Sequence, residues 1–421
     1  MTASSPPAGA SLSELWAQGG LLASSCALMA IASGVWYTGS LFFVALLEEF
    51  RADHATTAGI FSLFTILYGV FGIPAGLLMD RLGPRRIILI GGLLLPLAHV
   101  GSGLATGIWW LYLTHGFLTP LALSFAGYVP VSILITRLFQ AQRGLALGIA
   151  SAGVGVGILA IVPMAQYAID LFGWRVGYCA MAALAAVVIP PVALWAIPEG
   201  AKPAPAPPSP TPEPPAREAG WTLAAALRSR SFWLVGATFI TLNSATQLVL
   251  THQAAYLVEA GHSRMLVAWT IGLIGLASIP GKIGWGFLSD RRWLEWIYVW
   301  GGALVIAATV TLLTVGPATP AWMLAIYGIL MGLGYAVSPA LCPTISARFF
   351  AGPSFGAIFG LLNTLYQLGG AAGIWLAGYA HDLTGSYRLP FLICIVCVVC
   401  SAGFAWLAAP RHAPLPGRRG R

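Results

Sequence analysis

Gly76-Leu77-Leu78-Met79-Asp80-Arg81-Leu82-Gly83-Pro84-Arg85-Arg86 closes one apolar run and opens the next, and its first half occurs twice in the chain. Gly76-x3-Asp80-Arg81 returns as Gly286-x3-Asp290-Arg291, 210 residues later. A second pair repeats at almost the same offset, since Arg137-Leu138-Phe139 is echoed by Arg348-Phe349-Phe350 after 211 residues. Each motif lies between apolar segments of about 20 residues, the length at which a helix crosses a ~30 Å hydrocarbon core. The chain therefore reads as one membrane-embedded unit followed by a parallel copy of itself.

Composition supports the same class. Of 421 residues only 8% are charged and 58% are hydrophobic, and the mean hydropathy is +0.83. An ordinary soluble domain carries about a quarter charged residues. Apolar runs fall near 21–47, 58–79, 87–106, 108–135, 144–169 and 174–197, then near 232–258, 265–288, 293–315, 320–343, 356–380 and 388–408. The expectation is an all-α integral membrane protein of twelve transmembrane helices in two six-helix bundles, residues 1–198 and 231–421. Residues 199–230 join them, with eight prolines between Pro203 and Pro215 followed by a stretch, Trp221 to Arg230, suited to a short surface helix. The first 20 residues hold no Lys or Arg, so the first helix is expected to direct insertion itself.

The net charge of +8 belongs to the loops and gives no reason to expect nucleic acid. With both termini on one side, that side collects sixteen Lys and Arg and the other collects Arg51, Arg175, Arg264 and Arg388. The positive-inside rule then predicts cytoplasmic termini and linker, in an inner (cytoplasmic) membrane. All six cysteines fall in spans. Cys394, Cys397 and Cys400 have no fourth ligand or histidine beside them, so neither a metal centre nor a cofactor is expected.

One basic residue does not fit the loop pattern. In Ser278-Ile279-Pro280-Gly281-Lys282-Ile283-Gly284-Trp285-Gly286, Lys282 stands eight residues before Asp290, so its backbone lies ~12 Å inside the span. A lone ammonium there costs roughly 2.5–3.5 kcal/mol and marks a candidate functional site, although a lysine stem can also snorkel to the nearer interface. With no acid nearby in the chain, a bound anion is the natural counter-charge. Lysine also loses its proton readily when desolvated, which makes Lys282 a candidate proton carrier. Tyr128, Tyr335 and Ser278 are candidate hydrogen-bonding groups for that anion. Asn243 and Gln247 stand four apart, as do Asn363 and Gln367, so each pair shares a helix face that either lines a cavity or binds a neighbouring helix. His115 and His252 are further proton-carrier candidates. Gly148, Gly153, Gly155 and Gly157 supply small-residue packing surfaces.

The Gly76 to Arg86 stretch resembles the loop signature of the major facilitator superfamily, and the resemblance covers the whole chain. It implies that Gly76, Asp80, Arg81, Arg85, Gly286, Asp290 and Arg291 form a conformational latch at the helix ends. A narrower resemblance is to the monocarboxylate transporters and the bacterial oxalate/formate exchangers. It rests on Ser33-Gly34-Val35-Trp36-Tyr37, Gly127-Tyr128-Val129-Pro130, Arg143 to Ile149, Gly173-Trp174-Arg175, Thr251 to Tyr256, and Tyr335-Ala336-Val337-Ser338-Pro339. Lys282 then stands where those families carry a basic residue that grips a substrate carboxylate. The chain departs from the animal members at Ser278, where they have an aspartate, and it lacks their helix 1 lysine. It also lacks the second lysine that the oxalate exchangers carry in helix 11. One cation suits one carboxylate, because the second charge of a dianion would be left unpaired in a low-dielectric site.

The function expected is therefore secondary transport of a small monocarboxylate, of lactate or pyruvate type, with a proton and by alternating access. Proton-independent carboxylate exchange, export of hydrophobic compounds and a non-transporting carboxylate sensor are the alternatives. An enzyme is not expected. Gly275 to Lys282 imitates a phosphate loop but has one residue too many between its glycines and Ile283 where Ser or Thr is required.

Overall fold

A computed structural model describes residues 19–138, 143–197, 221–289, 294–350 and 354–408. Among them there are helices and short connections, and no strand. The first half comprises α1 (Gly19–Phe50), α2 (His54–Leu82), α3 (Pro84–Gly103), α4 (108–138), α5 (143–172) and α6 (174–195). The second comprises α7 (Arg230–Glu259), α8 (Arg264–Ser289), α9 (Leu294–Leu313), α10 (321–349), α11 (Phe355–Thr384) and α12 (Arg388–Ala408). Ten segments are long and apolar enough to cross a membrane. One of these, Ala146–Trp195, holds both α5 and α6, and the broken helix α10 brings the described crossings to the expected twelve. Large apolar side chains such as Ile73, Leu97, Trp109, Val187 and Trp195 cover the outer surface, as lipid-facing positions should.

Local chemistry fixes the corners. Asp53 caps α2 by accepting from the Thr56 N–H. Gly83, at φ 82°, turns the chain from α2 into α3, which Pro84 opens at a position where its missing N–H costs nothing. α5 and α6 meet at a corner with no loop, because Gly173 alone leaves helical geometry, at φ 82°. Leu223–Arg228 forms a short helix capped by Thr222, and Trp221 packs edge-on against Phe350 at 5.5 Å. The proline run lies outside the described residues.

Two further breaks matter for the site. α4 contains a π-helical segment, Tyr112–Leu118, and is interrupted at Gly127, immediately before Tyr128. α10 is interrupted at Ala336, immediately after Tyr335. Pro130 and Pro339 account for both: each lacks the N–H that would bond the carbonyl four residues earlier, at Ala126 and Tyr335 respectively. The duplicated sequence thus produces duplicated helix breaks.

The halves meet along two seams. α5 crosses α8 closely: a Cβ on Gly155 would lie 2.6 Å from the Gly275 carbonyl, and one on Gly275 2.9 Å from the Gly155 carbonyl. α2 meets α11, where Ser62 Oγ donates to the Ala371 carbonyl at 3.0 Å. At the end away from the termini the contact becomes ionic. Arg264 pairs with Glu48 at 2.6 Å, and the Asp382 carboxylate of α11 accepts from the His54 and Ala55 backbone N–H groups of α2 at 2.9 and 2.8 Å. Of the predicted latch, Gly76 and Arg81 lie at the end of α2, Arg85 in the first turn of α3 and Gly286 near the end of α8. The Asp80 side chain, Asp290 and Arg291 lie outside the described residues.

Candidate functional site

Between the halves lies a cavity of about 250 Å³. Its wall is built from α1 (Ser33, Trp36, Tyr37), α2 (Tyr68), α4 (Tyr128), α7 (Asn243, Gln247), α8 (Lys282), α10 (Tyr335) and α11 (Tyr366, Gln367). Among the lining residues Lys282 carries the one full charge. Its Nζ lies 5.7 Å from the centroid of the Tyr335 ring, on which a cation can rest when no anion is bound. Lys282 thus stands in the cavity wall beside Tyr335.

The helix breaks position the tyrosines. Tyr335 ends the first segment of α10 and Tyr128 begins the last segment of α4, so both project at points where the backbone is freed from regular bonding. Tyr37 stands beside Tyr335, ring centroids 6.2 Å apart. Asn243 does what both readings of it allow: it lines the cavity, and its Nδ2 donates to the Tyr366 carbonyl at 2.7 Å and to Gln367 Oε1 at 3.4 Å. That bonding ties α7 to α11.

The remaining candidates fall elsewhere. Ser278 is fully buried, and its Oγ donates back to the Gly275 carbonyl at 2.7 Å, so it takes no place in the cavity wall. The reason is local, since a serine inside a helix readily bonds a carbonyl of the preceding turn. Asn363 is exposed and does not line the cavity although Gln367, one turn on, does. His252 is buried away from it, with Nε2 2.9 Å from the Ile374 carbonyl and its ring edge-on to Phe43 across the two halves. His115 lines a second cavity of about 30 Å³, which shares Trp36, Tyr37, Gln247 and Leu250 with the larger one and lies on the side of the closed end. That volume holds about one water. His115 Nδ1 has no hydrogen-bond partner among the described residues. Gly153 and Gly157 face α1, and Gly155 faces α8, while Gly148 has no neighbour.

Several lining residues were not picked out as site candidates from sequence. Trp36 and Tyr37 stand inside the quoted helix 1 motif. Tyr68 and Tyr366 have no such signal, because an aromatic on a membrane helix is more often packing or an interface anchor.

The chain resembles known proteins over nearly its whole length. The sequence profile of the Major Facilitator Superfamily matches residues 24–374 and 285–420. Monocarboxylate transporter 13 of Rattus norvegicus is 26% identical over 391 residues, 89% of this chain and 85% of the relative. Monocarboxylate transporter 4 of the same species is 27% identical over 370 residues, 84% and 75% of the two chains. Among solved structures, a bacterial homolog of the human lysosomal transporter Spinster, inward-facing and occupied, superposes with a TM-score of 0.67 at 17% identity, covering 96% of this chain and 97% of that one. The peptide transporter POT in complex with sulfate superposes with a TM-score of 0.70 at 14% identity, covering 92% and 93%.

Proposed function

The chain belongs to the major facilitator superfamily and is a membrane transporter related to the monocarboxylate transporters, and from that premise we propose that it moves a small monocarboxylate with a proton by alternating access. The observation that carries the reading is the single ammonium, Lys282, in a cavity with no lining carboxylate. An anion of lactate or pyruvate type would pair with Lys282 and take hydrogen bonds from Tyr128 and Tyr335. Its substituents would meet Asn243, Gln247 and Gln367. Pairing cancels the one charge that opposes closure of the apolar wall, so the loaded site closes at lower cost than the empty one. The ionic contacts at the end away from the termini make this the state closed on that side. With cytoplasmic termini and an inner-membrane location, it is the state that serves release to the cytoplasm.

Two groups suit the proton. On this reading the candidate carriers are Lys282, in the wall of the larger cavity, and His115, beside the water-sized one. Uptake of labelled lactate into proteoliposomes, with and without an inward proton gradient, tests the scheme. Accumulation that a protonophore collapses is expected, and Lys282→Gln should lower kcat/KM by about 30-fold or more, the scale of losing one partner of a desolvated charge pair. Flux that requires preloaded anion and ignores the proton gradient would establish exchange instead. Folded protein with no flux of lactate, pyruvate, formate or oxalate would remove the carboxylate assignment. Lys282→Arg separates the two proton routes: uphill uptake that survives it excludes Lys282 as the carrier, since arginine does not deprotonate.

A further inference from the structure

At the end of the molecule away from the termini, three side chains from three helices converge. His54 opens α2 in the first half, while Glu259 ends α7 and His381 lies in the last turn of α11 in the second. One ligand atom from each lies within 4.8 Å of the other two. Glu259 divides its carboxylate between the histidines, with Oε1 3.8 Å from His54 Nε2 and Oε2 3.6 Å from His381 Nε2. Around a tetrahedral ion with bonds of 2.0–2.1 Å, ligand atoms stand about 3.3–3.4 Å apart. With one atom taken from each residue the set lies within 4.8 Å, so the three side chains close in by up to about 1.4 Å to reach that spacing around one ion.

The surroundings resemble those of a built metal site. Asp382 Oδ1 lies 2.9 Å from His54 Nδ1 while the same carboxylate is anchored on the first backbone N–H groups of α2. A carboxylate on one ring nitrogen fixes the tautomer and turns the lone pair of the other outward, which is how metal-bound imidazoles are usually held. Here that second nitrogen, Nε2, faces Glu259. His381 is 9% exposed, and its Nδ1 has no partner among the described residues, so no protein acceptor commits its tautomer either. Among the described residues both carboxylates have histidine as their ion-pair partner. Glu259 is half exposed, which leaves an open position for water.

We propose that His54, Glu259 and His381 form a site for a divalent transition metal of the Zn²⁺ type, with Asp382 as its outer partner, and that the bound ion staples the two halves shut. The donor set of two imidazoles and a carboxylate suits Zn²⁺, Co²⁺ and Ni²⁺ over Mg²⁺ and Ca²⁺. Because the ligands come from both halves, the ion binds the closed arrangement and not the open one, and so shifts the equilibrium toward closure. The inference does not depend on which solute the cavity takes.

Cobalt provides the test. Protein without a histidine tag, in detergent, is titrated with Co²⁺ and followed by its visible absorption, then by thermal unfolding in Zn²⁺. One equivalent should saturate a chelator-reversible signal, and Zn²⁺ should raise the unfolding temperature. Glu259→Gln and His381→Ala should abolish the signal, Asp382→Asn should weaken Co²⁺ binding by about 10–100-fold, and His262→Ala should leave it intact. Elution and circular dichroism of each variant establish that it is folded. No saturable signal from the wild type, or a signal retained in folded Glu259→Gln and His381→Ala, overturns the proposal.

Discussion

Asp382 joins the halves through the backbone of α2, which makes it the sharpest place to perturb the closed state. Its carboxylate accepts from two N–H groups at 2.9 and 2.8 Å at the positive end of a long helix. An acceptor of this kind is worth about 0.5–2 kcal/mol when it caps a helix within one segment. Here the cap is supplied by the opposite half, so the energy is lost when the halves part, and it biases closed against open. At 23% side-chain exposure some of that is screened, and about 0.5–1.5 kcal/mol remains, a factor of roughly 2–12 in the closed-to-open ratio. In chelator, with spin labels at Thr106 and Ser263 in a background where the six cysteines are replaced, Asp382→Ala should move the distance distribution toward longer separations by that factor. Asp170→Ala is the control, since Asp170 accepts from Gln166 of its own helix at 2.7 Å. An unchanged distribution in Asp382→Ala, or an equal change in Asp170→Ala, would refute the cross-capping argument.

Two other perturbations follow from single contacts. Asp53→Ala should destabilise the fold by ~1 kcal/mol, read by denaturant or thermal unfolding. The Thr56 N–H holds the Asp53 carboxyl below its ordinary value, so this contribution is present above the unfolded carboxyl range and fades as pH falls through the depressed folded value; wild type and variant should converge in acid. Gly155→Val drives a side chain into the Gly275 carbonyl across the α5–α8 seam. A cost of ~1–3 kcal/mol is expected, whereas Gly148→Ala, with no atom within 4 Å of the new Cβ, should change thermal stability little. Equal stability of those two variants would show that the seam yields freely.

The fold was legible because lipid imposes coarse rules. Twenty-residue apolar runs and a 210-residue repeat depend on local sequence alone, and the spans follow from them, whereas the breaks beside Pro130 and Pro339 were not anticipated. Lys282 was legible for the same reason, since an unpaired charge in an apolar run is a local anomaly. What sequence could not settle was the direction in which a side chain points. Ser278, one turn before Lys282, turns back on the Gly275 carbonyl, and Asn363 looks away from the cavity that Gln367 enters. A helical wheel relates such pairs to each other but not to the rest of the molecule. His54, Glu259 and His381 are separated by more than a hundred residues at each step, so their meeting depends on the closure of the two halves. No spacing rule for metal ligands could have found it.

The symmetry of the scaffold sharpens what its one asymmetry means. The repeat that brings Tyr128 and Tyr335 to the cavity from broken helices in both halves places Gly72 where the second half has Lys282. On the proposed scheme the halves rock as near equivalents around a charge that belongs to one of them. In it a monoanion pairs with that charge, and one proton crosses with it. The complete cycle then moves no net charge. Such a carrier responds to the proton and solute gradients together and not to the electrical potential. A dianion would break this balance twice, since it would leave one charge unpaired in the cavity and one uncompensated across the membrane. On that scheme the lone lysine selects the valence of the solute, while Tyr128, Tyr335 and Asn243 select its shape.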